Sequence, residues 1–286
     1  DLCLMHSRCV LARLQSGQLQ LRAAISPPLM PGEDIDWAAR MLDCADKTRL
    51  FEAHKREWRA FWDKSYMETD DPYLDSLYHL ALYYACSGQR GRYPGRFINS
   101  LWSWSHDVQP WNYYFHWNQQ TIYWGLNAAG RHELIKPYLK MRFDGLDNAR
   151  KSARQLGARG AYVADITDVY GHNRPDDNHT PVAEIALDFW RQYLYTCDKT
   201  FLREKALPYM IEAAQLFEHL FELRDDGFYH AQRGTAYEGW TIMEDACTEL
   251  ACGKALFTVL IAALDEADVR HESRALWEDM RDRIYD

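Results

Sequence analysis

Apolar residues recur at intervals of three and four through most of the chain from Trp37 to Tyr285, in blocks separated by loops of two kinds, short and long. That spacing draws one stripe along one side of a helix, and each such helix has to bury its stripe against another element. In Pro72–Ser87, for instance, Leu74, Leu77, Leu80, Ala81 and Tyr84 share a face. The pattern predicts helices over Trp37–Ala45, Leu50–Lys64, Pro72–Ser87, Asn118–Ala129, His132–Leu156, Pro181–Thr196, Lys199–Leu223, Glu244–Ala267 and Val269–Tyr285. Gly88 and Gly130 supply stops, and Pro208 predicts a kink or a late start. The long loops, near 88–117, 157–180 and 224–243, are rich in Trp, Tyr, His, Asp and Asn. Helix pairs with decorated loops at one end imply an all-α toroid with a pocket at its mouth.

Residues 8–26 read differently, as strands Cys9–Leu14 and Gln18–Ile25 joined at Ser16-Gly17. A lone hairpin is marginal in water, so it reads as the end of a larger sheet. Pro27, Pro28 and Pro31 then form a linker.

Composition narrows the function. The net charge of -9 with no basic run argues against nucleic acid as a partner. No apolar run is expected to reach the length of a membrane span, and residues 1–30 lack a signal-peptide layout. Seven Cys, none in a CxxC pair, suggest free thiols and no metal centre, and no cofactor is expected. Free thiols suggest a reducing compartment, but the localisation stays open.

The segment Pro110–Trp124, PWNYYFHWNQQTIYW, interleaves aromatics with His116 and the amides of Asn118, Gln119 and Gln120. Aromatic faces stack on the C–H face of a sugar while amides bond its hydroxyls. A buried helix whose amides satisfy one another reads equally well from composition.

The run His54-x3-Trp58-x2-Phe61-Trp62, then Tyr78-x4-Tyr83-Tyr84, Leu101-Trp102, Pro110-Trp111 and Trp117-Asn118-x-Gln120-x2-Tyr123-Trp124 resembles the six-hairpin (α/α)6 glycosidases, and glycoside hydrolase family 95 in particular. Phe189-Trp190, Tyr193 and Thr196-x-Asp198-x2-Phe201-Leu202 are similar to a helix joint of the same clan. The likeness covers about residues 48–265. It implies an (α/α)6 toroid, incomplete in this chain, preceded by a remnant hairpin of an N-terminal β-sandwich. Residues 1–31 would be the end of that sandwich and the linker, and 32–286 the barrel, truncated at its C-terminus.

The resemblance also implies an inverting hydrolase of glycosidic bonds in oligo- or polysaccharides, α-L-fucosidase-like, and favours a periplasmic or secreted enzyme. The family's acid aligns with Glu238, and of its paired water-orienting Asn residues one aligns with Asn118 and the other with His116. Its base would lie beyond residue 286, with Asp165 or Asp168 as alternatives within the chain. An acid flanked by Tyr237 and Trp240 has the desolvated setting that keeps a carboxyl protonated. Trp102, Trp111, Trp117, Trp124, Trp240, His172 and His179 are candidate substrate contacts, with Trp104 a further platform. A glycan-binding barrel that does not cleave, or a polysaccharide lyase on a similar toroid, are the other readings.

Overall fold

The computed structural model describes residues 7–11, 21–25, 40, 46–95, 114–174, 176–237 and 239–285. They fall into two compact units, 1–68 and 69–286.

In the first unit β1 (Ser7–Leu11) pairs antiparallel with β2 (Leu21–Ile25), Ser7 opposite Ile25 and Leu11 opposite Leu21. The expected hairpin exists with shorter strands, and Ser16-Gly17 lies outside the described residues. Helix α1 (Lys47–Trp62) starts three residues earlier than its apolar pattern does, because Asp46 caps it: its carboxylate accepts the Arg49 N–H at 2.7 Å. The helix expected over Trp37–Ala45 lies outside the described residues apart from Arg40.

The second unit is helical. It comprises α2 (Pro72–Gln89), α3 (His116–Ala128), α4 (His132–Asp144), α5 (Leu146–Gln155), α6 (Thr180–Thr196), α7 (Lys199–Phe201), α8 (Leu207–Leu220), α9 (Cys247–Ala267) and α10 (Arg274–Arg283). Three hairpins, α3–α4, α6–α8 and α9–α10, pack side by side, with α6 seated between α3 and α9. Each of α3, α6 and α9 follows a long loop and precedes a short return, so their N-termini gather at one end. That is the alternating inner and outer arrangement of an (α/α)6 toroid. The returns are closed by left-handed residues, Gly130 (φ 68°), Cys197 (φ 52°) and Asp268 (φ 53°).

Two helices expected to be continuous are broken, each for a local reason. His132–Leu156 divides at Gly145, where Gly171 (φ 80°) crosses so closely that a Cβ on Gly171 would sit 2.7 Å from the Gly145 Cα. Lys199–Leu223 passes through a π-helical segment, Leu202–Ala206, in which Leu207 N–H donates to the Leu202 carbonyl. Pro208 follows at once. It has no N–H to give the preceding turn, and the wider turn absorbs the loss.

The long loops also contain strands that the helical pattern did not show. Tyr114–Phe115 (β3), Ile166–Thr167 (β4) and Asn173–Arg174 (β5) form a small antiparallel sheet. Phe221–Leu223 (β6) pairs with Tyr229–Ala231 (β7), and Gly234–Tyr237 (β8) with Trp240–Met243 (β9). Strands of two to four residues are too short to display alternation.

One expectation is corrected. Helix α9, 21 residues long, is apolar enough by length and composition to cross a membrane. Leu256, Phe257, Leu260 and Leu264 are instead fully buried inside the fold, where α9 packs on α6, α8 and α10.

Stacked rings tie the layers of the core, Tyr123 on Tyr138 with centroids 4.5 Å apart and Phe189 on Tyr209 at 4.6 Å. Leu256 sits within this core with no exposed surface. Leu256→Ala should cost about 2–5 kcal/mol, seen as a lower denaturant midpoint with an unchanged slope; a loss under about 1 kcal/mol would mean that α9 does not carry the core.

Candidate active site

The first residue of α3 starts the site. The His116 backbone N–H donates to the Asp165 carbonyl at 2.9 Å, inside the β3–β4 pairing that ties the loop before α3 to the loop before α6. Its imidazole lies between two carboxylates. Nδ1 bonds the Asp165 carboxylate, and Nε2 stands 3.7 Å from Oε1 of Glu184, in the second turn of α6. Gln120, one turn along α3, donates its amide N–H to the other Glu184 oxygen, and Thr180 also bonds Glu184.

Each charge here depends on the others. Burial pulls the His116 pKa down, but the Asp165 and Glu184 carboxylates more than reverse it, so the ring is raised above its ordinary value. Burial pushes Glu184 up, and its contacts with His116, Gln120 and Thr180 more than reverse that, holding it below the usual carboxylate range. The result is an imidazole clasped between Asp165 and Glu184, with its protonated form favoured. The Glu184 side chain keeps 21% of its surface exposed and that of Asp165 37%.

At the N-terminus of α9 stands a second acid, Glu249, with no exposed surface. Its Oε1 accepts the Thr235 N–H at 3.1 Å, and its Oε2 lies 2.6 Å from the Thr248 hydroxyl. That hydroxyl also lies 2.9 Å from the Thr235 carbonyl, which can only accept. With one proton, Thr248 completes both contacts only if Glu249 carries a proton itself. Burial pushes the Glu249 pKa up, which agrees.

Glu249 thereby anchors β8, the first strand of the β8–β9 hairpin. The approach is close: a Cβ on Gly234 would lie 2.3 Å from the Glu249 carboxyl carbon, so any larger residue would displace that carboxyl from its contacts. The hairpin is irregular, with register shifts along its pairing, and Ile242 (φ 60°) and Asp245 (φ 50°) are left-handed. Trp240 projects from it with 65% of its surface exposed.

Residues 46–286 match the catalytic domain of glycosyl hydrolase family 95. The chain belongs to that family. It is 26% identical over 207 residues to a kojibiose hydrolase of Flavobacterium johnsoniae, covering 68% of this chain and 29% of that protein. It is 27% identical over 188 residues to alpha-L-fucosidase 2 of Arabidopsis thaliana, covering 61% and 22%. Among solved structures, a putative kojibiose phosphorylase from the human microbiome superposes with a TM-score of 0.70 at 12% identity, over 98% of this chain and 45% of that one. The chain thus spans less than half the length of each of these relatives.

Within this family 95 chain, the amides of the aromatic segment divide by role. Gln119 is fully buried and structural, accepting from Arg142 at 2.8 Å and donating to the Gly95 carbonyl at 3.1 Å. Gln120 serves Glu184. Asn118 is half-buried beside them, its carbonyl accepting from the Thr121 hydroxyl. Trp117 and Trp124 are exposed and pack edge to face, 5.2 Å between centroids.

The histidines of the 171–179 loop part company. His172 is exposed and bonds Asp168 at 2.8 Å, while Asp168 also accepts the N–H groups of Tyr170 and His172 and so closes that turn. His179 is buried, with its ring 5.6 Å from that of Tyr162, and burial drops its pKa to about 4. Glu238, Trp102, Trp104 and Trp111 lie outside the described residues.

Two members of the site, Glu184 and Glu249, were not singled out from the sequence. The signal was present: each is an acid inside an otherwise apolar helical run, and such an acid needs a partner wherever it is buried.

The clasp predicts a pH signature. A raised His116 pKa contributes stability that is complete below about pH 6.5 and is lost as pH rises through the raised folded value. The stability gap between wild type and His116→Asn should therefore be larger at pH 6 than at pH 9. Equal gaps in denaturation midpoints would show that the ring is not held charged. Gly234→Ala should lower the thermal midpoint and leave the Glu249 anchor unformed; an unchanged midpoint would contradict the close approach.

Proposed function

We propose that this chain forms part of the catalytic barrel of an inverting glycoside hydrolase acting on oligo- or polysaccharides. The supporting observation is the convergence of Asp165, His116, Glu184, Gln120 and the β8–β9 hairpin on the N-terminal ends of α3, α6 and α9, within a family 95 domain.

In this reading Glu238, in the sequence of the β8–β9 hairpin, protonates the leaving glycosidic oxygen. Asn118 orients water or a sugar hydroxyl through its amide. His116 has its ring nitrogens turned to Asp165 and Glu184, so it acts by holding Glu184 ionised and fixed. The exposed Glu184 edge then accepts from a substrate hydroxyl. Trp102, Trp111, Trp117, Trp124 and Trp240 supply stacking faces and the exposed His172 a polar contact, whereas the buried His179 is withdrawn from substrate. A base opposite Glu238 would come from a longer chain or from Asp165, at the roughly 6.5–9.5 Å separation that inversion requires.

The finer reading is an α-linked substrate, either an α-L-fucoside or a kojibiose-like disaccharide, as the names of the relatives suggest. The test assays the full-length protein on aryl α-L-fucosides and kojibiose, with and without inorganic phosphate. Hydrolysis without phosphate is expected, and Glu238→Gln should cut kcat about 10²–10⁴-fold while glycan binding persists. Full activity in that variant would remove the acid assignment. Strict dependence on phosphate would replace hydrolysis with phosphorolysis.

A further inference from the structure

The second unit contains a cavity of about 520 Å³ remote from the site just described, between α4, the C-terminal half of α6, α7 and the π-helical segment. Its volume falls within the range of roughly 300–1,000 Å³ usual for small-molecule pockets. Thr196 on its wall is twelve residues beyond Glu184 on α6, about 18 Å along the helix axis at 1.5 Å per residue.

Three observations at this cavity point to a ligand. The first is charge. Lys140 is paired with Asp144, and the Asp198 carboxylate accepts the N–H groups of Thr200 and Phe201, each at 3.0 Å. Among the described residues Lys136 and Lys205 have no carboxylate partner, which leaves two ammonium groups among the lining residues.

The second is the π-helical segment itself. It carries Lys205 and sets that ammonium 4.0 Å over the Phe143 ring, at the cavity wall. Such segments recur at functional sites, because the widened turn re-aims a side chain.

The third is Gln192, which lines the cavity yet is nearly fully buried, and whose amide oxygen has no hydrogen-bond partner. The terminal torsion of a glutamine is soft, so a small swing turns that acceptor toward a ligand hydroxyl. The Thr196 hydroxyl, already donating to the Gln192 carbonyl and accepting the Asp198 N–H at 3.4 Å, keeps one lone pair for a ligand donor.

We propose that this cavity binds a sugar unit bearing one anionic substituent, a carboxylate or a sulfate, separately from the catalytic site. The substituent pairs with Lys136 and Lys205, the C–H face of the ring lies on Phe201, and hydroxyls reach Gln192 and Thr196. The pairing with ammonium groups selects charge, and the aromatic wall selects a pyranose over a free inorganic ion.

The test is calorimetric titration of the full-length protein with a neutral disaccharide, its glucuronate-containing analogue and its sulfated analogue. At least one acidic sugar should bind, and the one that does identifies the substituent. Lys136→Gln and Lys205→Gln should each weaken that binding by about tenfold or more, with kcat and KM on a neutral aryl glycoside unchanged. Three results would each overturn the proposal: no acidic sugar binding, equal binding of the neutral disaccharide, or affinity indifferent to both lysines.

Discussion

A carboxylate withdrawn from water must find a counter-charge, several donors or a proton, and this requirement organises the end of the barrel where α3, α6 and α9 begin. Three acids there and nearby meet it in three ways. Glu184 takes the charge of His116 and donors from Gln120 and Thr180. Glu249, with Thr248 and Thr235 around it, takes a proton. Asp188, further along α6, is raised to about 6 by burial and is held by the Tyr138 hydroxyl at 2.8 Å and by Arg191. Each solution joins separate elements, so the polar contacts that make burial tolerable also set the register of loops against helices.

The helical architecture was legible because it is written in local periodicity. Helices α3, α6 and α9 begin within three residues of their expected positions, since each carries an apolar stripe bounded by turn residues. What broke the expectation were events with no local signature. Gly145 interrupts a helix because Gly171, 26 positions on, needs its space. The β3–β4–β5 sheet exists because Tyr114–Phe115 meets a short hairpin some fifty residues further along the chain. Pro208 did announce itself: the α-helix starts late, at Leu207 with Pro208 in its first turn, after a widened π-helical turn.

The candidate site was half legible for the same reason. Aromatic and amide residues crowd a single segment, so Pro110–Trp124 stood out as a candidate sugar contact. The division of labour among its amides could not, because Gln119 answers to Arg142, from α4, and Gln120 to Glu184, from α6. A residue's place on a helix face predicts that it is buried; what it meets there is set by another part of the chain.

This bears on why a histidine stands where the family resemblance places an asparagine. A neutral amide at position 116 could offer an N–H to one carboxylate, but it would leave Asp165 and Glu184 facing each other with no cation between them. An imidazole reaches both acids through its two ring nitrogens, and its protonated form is favoured there. Glycoside cleavage passes through an oxocarbenium-like state in which positive charge develops on the sugar ring. In the function proposed above, a Glu184 carboxylate held below its usual pKa with one open edge would favour that state over the neutral ground state. The histidine and the two acids are therefore best understood as one unit, in which the carboxylates hold the ring's pKa up and the ring in turn holds that of Glu184 down.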